Sequence, residues 1–285
     1  MPCHRPTALA LTALAAASAM AEEASAPADP APAPAAAAPP EPPEPSRRWD
    51  AAVGLIASWG TSPHGDGKPD LRLQPGYVLR WGRVSLSNAG AFATRRSDNV
   101  QRGLGLDLQR GERLRTTLSL RYDGGRDDDE PALRGLGKVR NTVRARLGAS
   151  WRLDDGWRLS GGISPDLLGR GGGVFADVGV GRERRLAPAT VWNWGLRLSA
   201  ADSRYLRSYY GVDTEQSQAS GYPVYRPGAG WRDLQGSLGL RHDLDKHRIL
   251  TAGVSLARLL GPAADGPAVT RRSTWSLAAG AGWRF

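Results

Sequence analysis

The sequence predicts an all-β protein: a transmembrane antiparallel up-and-down β-barrel of about 12 strands, with 10 as the alternative, preceded by a disordered Ala/Pro-rich arm. Three observations carry that expectation. Apolar and polar residues alternate with a period of two over runs of 10–16 residues, longer than the five or six typical of soluble strands and long enough for tilted membrane strands. Connectors alternate between short links at 82–83, 109–112, 154–156, 186–188 and 244–247 and long ones at 60–70, 93–99, 124–137, 201–228 and 259–270. Under that topology Trp49, Trp81, Trp151, Trp157, Trp192 and Trp283, six of the ten tryptophans, fall on one rim, as an interfacial girdle requires.

Residues 1–21 read as a secretory signal: His4 and Arg5 give a basic start, Leu9 to Ala17 a small-residue apolar core, and Ala19-Met20-Ala21 a cleavage site. Cutting there removes Cys3 and with it every thiol, so disulfide, zinc-thiolate and cysteine-nucleophile chemistry are excluded from the mature chain. Residues 22–48 are almost wholly Ala, Pro, Glu and Ser; they favour extended polyproline II and read as a periplasmic linker. The barrel is expected over 49–285.

Strands are expected at 49–59, 71–81, 84–92, 100–109, 112–123, 138–153, 156–168, 172–185, 189–200, 229–243, 247–258 and 272–285. The last is the clearest: Trp275, Leu277, Ala279, Ala281, Trp283 and Phe285 share one face, while Thr274, Ser276, Ala278, Gly280, Gly282 and Arg284 share the other. The hairpin over 84–109 is the weakest, and losing it gives ten strands. An even number puts both ends on the short-link side, the periplasmic side of bacterial outer-membrane barrels. Trp283 and Phe285 on the closing strand resemble the signal read by the barrel-assembly machinery.

The formal net charge is +10, and removing Arg5 leaves 37 basic against 28 acidic residues, or +9. An exported chain does not meet nucleic acid, so outer-membrane lipids, lipopolysaccharide and an arginine-bearing interior are the partners this charge suits. On the polar face lie Arg113, Arg115, Arg121, Arg140, Arg144, Arg146, Arg152, Arg158, Arg197 and Arg241, with the acids Asp50, Asp107, Asp177, Asp233 and Asp243. Arg140, Arg144, Arg146, Arg152 and Arg197 are the expected lumen residues, with Leu147, Trp151, Trp194 and Leu196 toward lipid. Such arginines are either paired in an interior network or wet in an anion-preferring passage.

Catalytic and cofactor signals are weak, and no enzyme, cofactor or metal is expected. His242 and His247 flank a turn with Asp243 and Asp245; His64 lies near Asp66 and Asp70 in a polar loop, the one place where an Asp–His pair could activate water. The acids of "GGRDDDE" at 124–130 lack calcium-loop spacing, and "GRGGG" at 169–173 lacks the Lys-Ser/Thr and helix of a phosphate loop. Asp213 with Gln216 forms an N-cap pair and Gly221 suits a C′ position, so 213–220 should be a short helix within an outer loop that packs over the mouth.

The C-terminal half resembles the MipA/OmpV family of MltA-interacting outer-membrane proteins. The motifs are Tyr209-Tyr210-Gly211-Val212, Gly221 to Tyr225, Gly228 to Asp233 (through Gly230), and Arg258 to Asp265 (through Leu260 and Gly261), with "LRGLG" at 133–137, "RWGR" at 80–83 and "RGLGLDL" at 102–108 upstream. The segment near 91–100, together with Pro262 and Gly266, departs from the pattern. The resemblance implies a non-enzymatic scaffold joining a lytic transglycosylase to a murein synthase, and it brings no catalytic residues. A narrow arginine-lined pore or solute-responsive channel is the alternative.

Overall fold

The computed structural model describes residues 49–65, 68–88 and 103–285; the signal-peptide and linker readings over 1–48 and the departing segment near 91–100 lie outside them. Twelve strands form the wall: β1 (Trp49–Gly60), β2 (Asp70–Trp81), β3 (Val84–Ser87), β4 (Gly103–Arg110), β5 (Leu114–Asp123), β6 (Thr142–Arg152), β7 (Trp157–Pro165), β8 (Val174–Ala187), β9 (Thr190–Ala201), β10 (Gly230–Asp243), β11 (Arg248–Leu259) and β12 (Ser273–Arg284). Each pairs antiparallel with its sequence neighbours, and β1 closes on β12 from Ala52↔Arg284 to Gly60↔Ser276. Closure of β1 on β12 leaves neither terminal strand with a free edge, which a membrane demands because hydrocarbon offers no partner to a bare backbone amide.

Twelve strands, not ten, are present, because β3 pairs with both β2 and β4. Three expected strands are shorter than the alternation implied; the one expected over 84–92 is described as strand only over Val84–Ser87. The one expected over 138–153 enters the wall only at Thr142, since Val139 exchanges both backbone hydrogen bonds with Arg126, at 2.9 and 3.2 Å. The one expected over 156–168 ends at Pro165, because the Asp166 carboxylate accepts from the backbone N–H of Leu168 and Gly172 and bends the chain into a turn.

Alternation sets the radial order. On β6, Arg144 and Arg146 are buried while Leu147 and Trp151 are exposed; on β9, Ser199 is buried while Leu196 is exposed. Exposed leucines continue around the wall, at Leu55, Leu79, Leu104, Leu118, Leu238, Leu256 and Leu277, as a lipid-facing belt. Inward positions are mostly Gly, Ser, Thr and Arg, the small ones leaving room for the long guanidinium stems. Around the turn at 82–83, Trp49 sits opposite Trp81 in the ladder, and Trp283 stacks on His247 at 5.2 Å at the same rim.

At the other end the long connectors fold over the opening. Between β9 and β10 lie two helices, α1 (Ser203–Tyr210) and α2 (Thr214–Ser220); a short α3 (Gly261–Ala264) follows β11. The predicted capping box of α2 is present, with Asp213 and Gln216 exchanging hydrogen bonds and Gly221 left-handed at φ 77°. α1 was not anticipated: Asp202 caps it by accepting from the Tyr205 N–H, and its two turns, with Tyr205, Leu206, Tyr209 and Tyr210 on one face, are too short to stand out in a long connector.

Candidate functional site

The interior and the cap above it form one continuous arrangement. Apolar side chains build the cap in two clusters. Ala201, Leu259, Leu206, Tyr205, Ala263 and Ala264 pack at the upper end of the wall against Phe175, Tyr209, Tyr210 and Val269. Leu133, Leu136, Val212 and Ala268 pack with Tyr222 and Tyr225. Leu206 and Val212, at 0% and 1% exposed, are as buried as any core residue of a soluble protein.

Beneath the cap two guanidinium groups sit against aromatic faces. Arg144 lies 5.2 Å from the ring centres of both Phe175 and Tyr205, and Arg232 lies 4.6 and 5.5 Å from the same rings. Arg144 also donates to Asp123 and to the carbonyls of Gly172, Gly173 and Ser164. Arg232 pairs with Asp233 and donates to the Ser199 and Tyr205 hydroxyls. Tyr209 completes the set by donating to Asp123 at 3.1 Å and stacking on Tyr205 at 4.5 Å. These bonds answer the cost of burying charge under an apolar lid.

Deeper in the wall the inward carboxylates meet the inward arginines. Asp177, 6% exposed, pairs with Arg146 and lies 4.0 Å from Arg197. Asp107 accepts from Arg115 and Arg110, and Asp243 lies 3.6 and 3.9 Å from Arg241 and Arg284 near the short-turn rim. Residues of β1, β2, β11 and β12, mostly small but including Arg72 and Gln74, bound a cavity of about 380 Å³ together with Asn88.

The five arginines expected to line the lumen separate into three groups. Arg144 and Arg146 are buried inside, and Arg197 points inward with its side chain 56% exposed, so water reaches it. Arg152 is exposed at the short-turn rim, and Arg140 is exposed two residues before β6 begins, outside the wall. The motif residues gather at the cap. Gly211 ends α1, and Val212 bridges Tyr225, whose hydroxyl donates to the Pro262 carbonyl. Tyr210 packs on the first cluster, and Gly221 terminates α2. Gly230 opens β10 so close to Pro262 that a side chain would collide, and Asp233 follows it in the same strand. Leu260 hydrogen-bonds the Arg232 carbonyl, Gly261 takes φ 46°, and Asp265 pairs with Arg272. Trp283 and Phe285 are exposed at the short-turn rim.

Sequence parity missed Arg232. A bulge between Trp231 and Asp233 breaks the alternation there, so Arg232 reaches the interior beside Asp233. Neither Asp123 nor Arg126 was singled out, since their burial depends on the cap. The other candidates have ordinary structural places. His64 Nδ1 lies 3.1 Å from the Ala268 carbonyl; Asp66 is outside the described residues. Asp127 and Asp128 lie 2.6 and 3.4 Å from Lys138, which holds the Asp127 carboxyl below its usual range.

A closed 12-strand wall with an apolar exterior, charge-paired interior and capped mouth defines a porin-like integral β-barrel of the Gram-negative outer membrane. The chain belongs to the family described as MltA-interacting protein MipA, whose model matches residues 53–285. It is similar to the "Putative outer membrane protein YiaT" of Escherichia coli O157:H7 and strain K12, 26% identical over 191 residues that cover 65% of this chain and 76% of each relative. Among solved structures it is similar to an anion-selective porin from Comamonas acidovorans (10% identity, 83% of this chain and 98% of that one, TM-score 0.39). The NanC porin (8%, 81% and 98%, TM-score 0.42) and the DcaP channel of Acinetobacter baumannii (9%, 83% and 96%, TM-score 0.40) are similar at the same level.

Proposed function

We propose that this protein is a non-enzymatic scaffold that holds murein-remodelling enzymes to the outer membrane from its short-turn rim and the linker expected over 22–48. The capped mouth carries the reading: two apolar clusters and the Arg144–Phe175–Tyr205–Arg232 stack occupy the end through which a solute would enter. The family's description names a lytic transglycosylase, MltA, as the interacting protein. A murein synthase as second partner, and recognition of Trp283 and Phe285 by the barrel-assembly machinery, belong to the same proposal.

A narrow anion-preferring passage is the second reading, favoured by the cavity beside β1 and β12 and by the water-exposed Arg197. Affinity capture from crosslinked envelopes, with planar-bilayer recording of the purified barrel, separates the two. Enriched transglycosylase and synthase with a silent bilayer support the scaffold; steady chloride-preferring current without those partners supports the passage.

A further inference from the structure

On the outer face of the cap, a groove of about 510 Å³ runs between the connector before β6, the turn after β7 and the α1–α2 segment. Six basic side chains line it: Arg126, Lys138, Arg140, Arg170, Arg207 and Arg226. Asp213 is the one acid among its described lining residues, and its carboxylate caps α2. Lys138 is answered by Asp127 and Asp128, but no described carboxylate lies within 4.0 Å of Arg126, Arg140, Arg170, Arg207 or Arg226.

Arg126 makes the imbalance sharpest. It is 7% exposed, and its guanidinium donates only to carbonyls, those of Tyr209, Leu136 and Gly137. Its Nε has no hydrogen-bond partner, and burial pulls its pKa down. A buried cation without a counter-ion is expensive, and a bound anion relieves that cost. The walls are already fixed: Gln216 donates to the Leu136 carbonyl at 2.6 Å, Ser208 to Gly171 at 2.7 Å, Arg170 to Asn141 at 3.0 Å, and Arg207 to Pro227 at 3.3 Å. Val139 and Tyr225, both partly exposed, supply apolar surface between the charges, as a sugar ring needs. The volume lies within the range of small-ligand sites, and several guanidinium groups ask for more than one anionic group.

We infer that this groove binds a sugar carrying two or more phosphate or carboxylate groups. Lipopolysaccharide of the surrounding leaflet and free acidic sugars both offer that chemistry. The test uses the full-length barrel in nanodiscs, with intrinsic tryptophan fluorescence as the readout. The probes are fructose 1,6-bisphosphate, uncharged fructose, bisphosphorylated lipid A in the disc, and lipid A stripped of phosphate. Saturable binding of a phosphorylated probe, absent for its uncharged counterpart, is expected. Substituting Arg140→Gln with Arg226→Gln, two arginines with no recorded hydrogen bond, should weaken it about tenfold or more, as loss of charge-assisted bonds does. Arg152→Gln at the opposite rim should leave it unchanged, and heat-modifiable mobility verifies that each variant is folded. Binding of fructose 1,6-bisphosphate assigns a free ligand; binding of lipid A alone assigns the membrane. Equal response to charged and uncharged probes, or affinity unmoved in the folded double variant, overturns the inference.

Discussion

Charge inside a membrane barrel is tolerable only where it is answered, and Arg146 with Asp177 is the clearest instance. Both are nearly sealed from solvent, at 7% and 6% exposed, with a second bond of 2.8 Å between them. Arg197, at 4.0 Å, is too distant and too wet to replace Arg146. Arg146→Ala is expected to destabilise the barrel by about 3–5 kcal/mol, because the carboxylate stays buried after its partner is gone. Replacing both, Arg146→Met with Asp177→Leu, should recover most of that loss. Urea unfolding in lipid vesicles measures both, and equal losses in the single and double variants would refute the pairing argument. His64 behaves oppositely, as a half-buried group whose surroundings favour the neutral form. Burial holds its pKa below 6.5, the nearby Arg126 lowers it further, and the Ala268 carbonyl and Glu130 only partly offset this. The unfolded chain therefore takes up the proton first, and stability present above about pH 6.5 is lost as the pH falls toward the depressed folded value. Amide protection factors over 61–65 and 266–270, taken relative to the intrinsic exchange rate at each pH, should fall between about pH 7.5 and about pH 5.5, and His64→Gln should flatten that response. Protection factors independent of pH in the parent protein would count against it.

At the level of elements, alternation made the wall legible, but contacts made by distant segments were not. β5 and β12 alternate at nearly every position, so their inner and outer faces follow from residue type with few exceptions, Thr116 and Ala278 among them. β6 begins late because Val139 finds Arg126, a partner supplied by the preceding connector, and no local pattern announces that. Arg232 was hidden by the bulge, and α1 by its length, since the stripe of Tyr205, Leu206, Tyr209 and Tyr210 spans only two turns within a long connector. α2 was legible because its caps are written in the sequence, Asp213 and Gln216 at one end and Gly221 at the other. Two glycines separate local from tertiary constraint. Gly221 has φ 77° and open space around its missing side chain, so Gly221→Ala costs only the left-handed backbone, roughly 1–2 kcal/mol. Gly173 has φ 54°, and a Cβ there would run into the Asp202 carboxylate and the Tyr205 backbone nitrogen, the seat of α1. Gly173→Ala should therefore expose 202–229 to added protease far more than Gly221→Ala does. Equal cleavage of the two variants would mean that α1 does not depend on that close approach.

For the molecule as a whole, parity decides more than strand number. Lipid-facing leucines and inward arginines occupy alternate positions of the same strand, so Leu147 and Arg146 are neighbours in sequence and opposites in environment. A wall built this way constrains its two faces differently. Near the middle of β6, Leu147→Arg puts a guanidinium into hydrocarbon at a cost of about 2–4 kcal/mol, a large part of a marginal total stability. On the inner face, Gln235→Arg places the same group on β10 opposite Arg197, where water already reaches. That variant is expected to lose far less, since charge repulsion in a wet interior is screened. Unfolding midpoints in vesicles of fixed lipid composition give the comparison directly. The difference between the variants should persist at high salt, because the cost of Leu147→Arg is desolvation and not attraction or repulsion at a distance. If Gln235→Arg proved as damaging as Leu147→Arg, the interior beside Arg197 would be dry, and the scaffold reading would gain over the passage.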